Sequence, residues 1–130
     1  MNFKTLTGST RRVSRPNRYL IDWDSKSRSL FQSKVKSFLK QHWGNDVVFE
    51  EFPLPGTKMT FDFFNANKKT MVEVQGNQHQ RYTPFFHNKN KANFISQLRR
   101  DKDKRHFCEL NDIFLLEIYP DDDLTVNLLK

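Results

Sequence analysis

The chain has 130 residues and a mass of 15.6 kDa, with 22 Lys and Arg against 15 Asp and Glu for a formal net charge of +7. Only 36% of residues are apolar, but 13 are Phe, enough ring volume to close one small core, which argues against a disordered chain. The single cysteine excludes a disulfide framework or a cysteine-rich zinc site, and no apolar run approaches the roughly 20 residues of a membrane span.

The polar N-terminus does not read as a signal peptide, and the expected setting is cytoplasmic. Residues 1–28 hold seven basic and two acidic side chains, with Arg11, Arg12, Arg15 and Arg18 set among Ser, Thr, Asn and Pro16. The segment reads as a basic arm outside the folded body, either following a DNA groove or backbone or forming a disordered tail. A second basic stretch, 81–105, has eight basic against two acidic groups and includes Arg81, Lys89, Lys91, Arg99 and Arg100. The middle, 29–80, is nearly neutral. Two positive flanks of this kind are the footprint of a phosphate-backbone binder, or else a solvated basic surface.

From Leu30 to Trp43 apolar residues recur every three to four positions, predicting an amphipathic helix with Ser29 at its start and Gly44 at its end. Val47, Val48, Phe49 and Phe52 predict a first strand, stopped by Pro53-Leu54-Pro55-Gly56. Residues 58–64 and 70–75 predict a hairpin about a turn centred between Asn67 and Lys68. In that register Phe64 faces Met71, Asp62 faces Glu73 and Thr60 faces Gln75, and Phe61, Phe63, Val72 and Val74 turn to the other side and bury. After a polar loop holding Tyr82, Phe85 and Phe86, residues 92–108 read as a second helix with Phe94, Ile95 and Leu98 inward. Gln97, Asp101, Lys104 and Cys108 share one stripe of it. Ile113 to Tyr119 predicts a last strand. The expected order is α, three strands, α, strand.

Like charges directly opposite on a sheet destabilise the pair, so Asp62 and Glu73 call for an offsetting partner. A hard divalent cation is one such partner, because carboxylate oxygens are what Mg²⁺ takes from a protein. Plain amphipathic alternation with both groups solvated is the other reading.

The words Asp62-x10-Glu73-x-Gln75 and Glu73-Val74-Gln75-Gly76-Asn77-Gln78-His79, followed by Arg100-Asp101, Lys104 and Phe114-Leu115-Leu116-Glu117-Ile118-Tyr119, resemble the PD-(D/E)XK, or restriction-endonuclease-like, nucleases. The resemblance is to their phage and mobile-element branch, which includes Vsr-like repair nucleases and EDxHD homing endonucleases. It covers residues 29–120 and leaves 1–28 and the acidic tail 121–130 outside.

The resemblance implies an α/β fold, a restriction-endonuclease-like αβββαβ core with a mixed central sheet flanked by helices. It also implies a Mg²⁺-dependent endonuclease, with Mn²⁺ able to substitute, acting on double-stranded DNA as a monomer or homodimer in a bacterial or phage-infected cell. Asp62, Glu73 and the backbone carbonyl of Val74 would hold the metal. Gln75 stands where the family usually has Lys and could orient water. His79 is the candidate for proton transfer, or else a structural loop residue. Asp101 and Lys104 would face the site from the second helix, or form an ordinary surface pair. Gln32 falls where relatives often place Glu on the first helix. A Holliday-junction resolvase and an inactive DNA-binding module are the alternatives.

Overall fold

The computed structural model describes residues 1–76 and 91–129. His79, Arg81, Tyr82, Phe85, Phe86 and Lys89 lie outside the described residues, as do the side chains of Lys91 and Phe94. Strands β1 (Asn2–Lys4) and β2 (Thr10–Arg12) pair antiparallel, and a short 3-10 helix, Pro16–Tyr19, follows. Helix α1 (Leu30–Trp43) starts at Ser29, whose side chain accepts from the Gln32 N–H at 3.0 Å, satisfying a donor the first turn leaves open. It stops at Gly44, where a Cβ would come within 2.8 Å of the Lys40 carbonyl oxygen.

Strands β3 (Val48–Pro53), β4 (Thr60–Asn65) and β5 (Thr70–Val74) form an antiparallel meander. Helix α2 (Lys91–Leu110) then precedes β6 (Phe114–Ile118), which pairs parallel to β5. The described architecture is therefore a mixed four-stranded sheet in the order β3-β4-β5-β6 with two helices, in the expected chain order. The hairpin register is the expected one, since Phe64 pairs with Met71 and Phe63 with Val72. Asn65 Oδ1 accepts from the Lys68 N–H at 3.0 Å and so locks the turn.

Both faces of the sheet are buried. Val35, Phe38, Leu39 and Trp43 of α1 pack on Val48, Phe63, Val72 and Ile118. Phe49, Phe52, Phe61, Phe64 and Met71 pack on Phe107 and Cys108 of α2. Phe61 is thus not with Phe63 and Val72 as expected. The ladder pairs Glu50 with Phe63 and Phe52 with Phe61, but between them Glu51 takes φ 53°, a left-handed conformation that Glu adopts only at a cost of roughly 1–3 kcal/mol. The two-residue alternation breaks there in both strands, which brings Phe52 and Phe61 into the ring cluster of Phe49 and Phe64.

Three further expectations are corrected. Residues 1–28 do not stand apart from the body: Phe3 and Val13 are buried in the α2-side core, with the Phe3 ring 5.7 Å from that of Phe107. Ile95 and Leu98 are 46% and 51% exposed rather than inward. A 20-residue helix is about 30 Å long against about 17 Å for a five-residue strand, so the sheet underlies only part of α2. In the last segment Leu124, Leu128 and Leu129 pack against the α1-side core, so residues 121–129 are more than an acidic tail.

Candidate active site

Asp62 and Glu73 extend the β4–β5 register by one step, and each carboxylate accepts from a backbone N–H of the facing strand. The Asp62 N–H donates to Glu73 Oε2 at 3.1 Å, and the Val74 N–H donates to Asp62 Oδ2 at 2.7 Å. Glu73 is 6% exposed. Its remaining oxygen, Oε1, accepts from the Lys104 ammonium reaching across from α2, and the same ammonium lies 5.7 Å from the centroid of the Phe61 ring. Burial, then the nearby Asp62 charge, pushes the Glu73 carboxyl up to about 8 in spite of Lys104. Asp62 is also raised, chiefly by burial, with the Val74 N–H pulling the other way. The pair costs least with one proton or an added cation between them.

The α2 stripe holds. Asp101 accepts from Gln97 Nε2 at 2.9 Å and is raised by burial, and the Cys108 thiol, pushed up to about 12 by burial, meets Met71 Sδ at 3.7 Å. That thiol is a packing group. Gln75, Asp101, Lys104, Gln97 and Arg100 line one cleft of about 950 Å³ with Asp62 and Glu73. The backbone of Gln75 is tied to β6 through its N–H to the Ile118 carbonyl, 2.8 Å. Arg99 is exposed on α2 but does not line that cleft, and Arg11, Arg12, Arg15 and Arg18 line a different groove.

Two charged residues at the site went unread in the sequence. Arg28 pairs with Glu51 and comes within 3.9 Å of Asp62 Oδ1, while Thr60 Oγ1 donates to Glu51 Oε2 at 3.2 Å. Gln32, buried at the start of α1, joins Glu51 to Glu50, and Glu50 in turn accepts from the buried Lys36 ammonium at 2.9 Å. The available signal was Glu50-Glu51 inside an apolar strand run, where charges are seldom placed without partners. Among the described residues no group of three or more His, Cys, Asp or Glu side chains is arranged to hold a metal ion. The oxygen donors that converge are the two carboxylates of Asp62 and Glu73, a donor set that suits a hard cation retaining several waters.

The chain is similar to three viral proteins. It is 36% identical over 71 residues to uncharacterized protein 033L of Invertebrate iridescent virus 3, 38% over 60 residues to uncharacterized protein 307L of Invertebrate iridescent virus 6, and 33% over 66 residues to uncharacterized protein 094L of Frog virus 3. These matches cover 55%, 46% and 51% of this chain but only 36%, 30% and 43% of the relatives. No family model and no solved structure matches. Among the described residues no helix is long and apolar enough to cross a membrane.

Proposed function

We propose that the chain is a metal-dependent DNA endonuclease of the restriction-endonuclease-like type, hydrolysing a phosphodiester with water. The observation that carries this is the Asp62–Glu73 pair. A buried carboxylate, Glu73, and a half-buried one, Asp62, are held together by backbone donors in a cleft that Lys104 and Arg100 also line, an arrangement that is costly without a cation.

Asp62, Glu73 and the Val74 carbonyl would hold Mg²⁺ or Mn²⁺. The ion, when bound, would polarise the scissile phosphate and lower the pKa of a water. The chain's own side chains do the rest. Lys104, released from Glu73 Oε1, meets a phosphate oxygen, and Arg28 and Arg100 hold the neighbouring charge. Gln75 orients the attacking water, and His79 is the candidate to take its proton. Asp101 holds Gln97 by accepting from its Nε2 at 2.9 Å, and Gln97 Oε1 in turn accepts from Arg100 at 2.6 Å.

The test incubates supercoiled, linear and four-way-junction DNA with protein and Mg²⁺, beside Asp62→Ala and Glu73→Ala. The expected result is cleavage by wild type and a loss of about 10²-fold or more in each variant. Equal rates in all three proteins would overturn the site. Strong preference for the junction would make the enzyme a resolvase, and salt-sensitive binding without cleavage would make it a binding module. Retained activity of His79→Ala at every pH would remove His79.

A further inference from the structure

We infer that Arg28, Lys26, Arg18, Arg15, Arg12 and Arg11 form one continuous track for the phosphodiester backbone of duplex DNA, running from the carboxylate cleft to the N-terminal hairpin. Three concavities adjoin in series. The cleft shares Arg28 with a second groove of about 560 Å³, and that groove shares Arg18 and Tyr19 with a third of about 510 Å³. The third is walled by Arg11, Arg12, Arg15 and Arg18 on one side and by Pro53, Pro55 and Gly56 on the other, and among the described residues no acidic one lines it. In the second, Asp22, Glu50 and Glu51 also face the groove, but Glu50 is taken up by Lys36 and Glu51 by Arg28.

All six basic side chains are exposed. Among the described residues, none but Arg28 has a carboxylate within ion-pair distance. Guanidinium groups gathered around one groove repel one another, and forks of this kind match phosphate oxygens two at a time. The groove is also built in advance. The Val13 N–H donates to the Met1 carbonyl at 2.8 Å, and Phe3 and Val13 anchor the hairpin in the core, so less ordering entropy is lost on binding than with a free tail. A row of cations leading to a cleft fits a long regular polyanion better than an isolated phosphate.

The inference rests on the DNA reading of the cleft, but binding and cleavage separate the two. In EDTA, anisotropy of a fluorescein-labelled duplex of about 30 bp is followed across about 50 to 200 mM salt. Wild type is compared with Arg12→Gln/Arg18→Gln and with a charge-matched control off the track, Lys40→Gln/Lys68→Gln. The expected result is a salt slope shallower by about 1 to 2 in the track variant, with the control unchanged, while thermal melts report that all three proteins fold. Equal slopes in the two variants would overturn the track, whatever the cleavage assay shows. A wild type that leaves DNA uncut in Mg²⁺, together with a shallower slope in the track variant alone, would uphold the track and sink the nuclease reading.

Discussion

The side-chain amide of Gln32 donates to Glu50 Oε2 and to Glu51 Oε1, each at 3.1 Å. One neutral group on α1 thereby uses both of its N–H donors to hold two consecutive carboxylates of β3. Glu51 sits in its left-handed conformation under three restraints, from Gln32, Thr60 and Arg28. The amide is therefore a structural joint between the first helix and the carboxylate cleft.

Replacing that amide with a carboxyl should be costly. Gln32→Glu sets a third acid, itself buried, beside Glu50 and Glu51 and removes both amide donors, and it is expected to lower unfolding free energy by about 1–3 kcal/mol in metal-free buffer. Urea denaturation measures this. Acidification should recover more of the loss in Gln32→Glu than in Gln32→Met, because the third carboxyl adds like-charge repulsion that protonation relieves. Wild-type stability in Gln32→Glu would remove the joint from the account.

Lys36 is 2% exposed, and its ammonium is satisfied by Glu50 Oε1 at 2.9 Å and by the Ser25 carbonyl and hydroxyl, both at 3.0 Å. Lys36→Met leaves the half-buried Glu50 without its cation and is expected to cost about 3 kcal/mol. Lys36→Met/Glu50→Gln should restore part of that, since the stranded charge is gone. Additive losses in the double variant, measured by chemical denaturation, would show that the two side chains do not act as a pair.

The Glu73 carboxyl is raised from 4.5 to about 8 in the folded protein, so between those values the folded state binds the extra proton. Its contribution to stability is complete below the unfolded value and is lost as pH rises through the folded one. In EDTA, the melting temperature of wild type should fall from pH 4.5 to 8 relative to that of Glu73→Gln, whose side chain does not titrate. Added Mg²⁺ should raise the melting temperature of wild type near pH 8 and leave Glu73→Gln unmoved. Parallel pH profiles for the two proteins would place the Glu73 proton elsewhere.

Phe3 is 7% exposed and meets the rings of Phe52, Phe64 and Phe107 at centroid distances of 5.8, 6.3 and 5.7 Å. Phe3→Ala should therefore destabilise the whole fold by about 3–5 kcal/mol. A mobile arm would give less than about 0.5 kcal/mol, so one denaturation curve separates the two pictures.

Local chemistry carries much of this molecule. The period of Phe31, Val35, Phe38 and Leu39 defines α1, and Ser29 begins it. The turn-forming Asn65-Ala66-Asn67-Lys68-Lys69 sets the hairpin register, which alone is enough to put Asp62 opposite Glu73, because side-chain direction along a strand follows from counting. The stripe of Gln97, Asp101 and Lys104 follows from helical spacing in the same way.

What counting could not reach depends on contacts between segments distant in the chain. Phe61 leaves the side of Phe63 because Glu51, held by Arg28 and Gln32, interrupts the pleat. Periodicity has no term for a conformation imposed by partners 19 and more residues away. Arg11 to Arg18 look like a free basic tail in composition, and they become a wall of a groove because two apolar residues, Phe3 and Val13, find a ring cluster to bury in. Burial of so few side chains is below the resolution of any composition, yet it is worth several kcal/mol once the cluster exists.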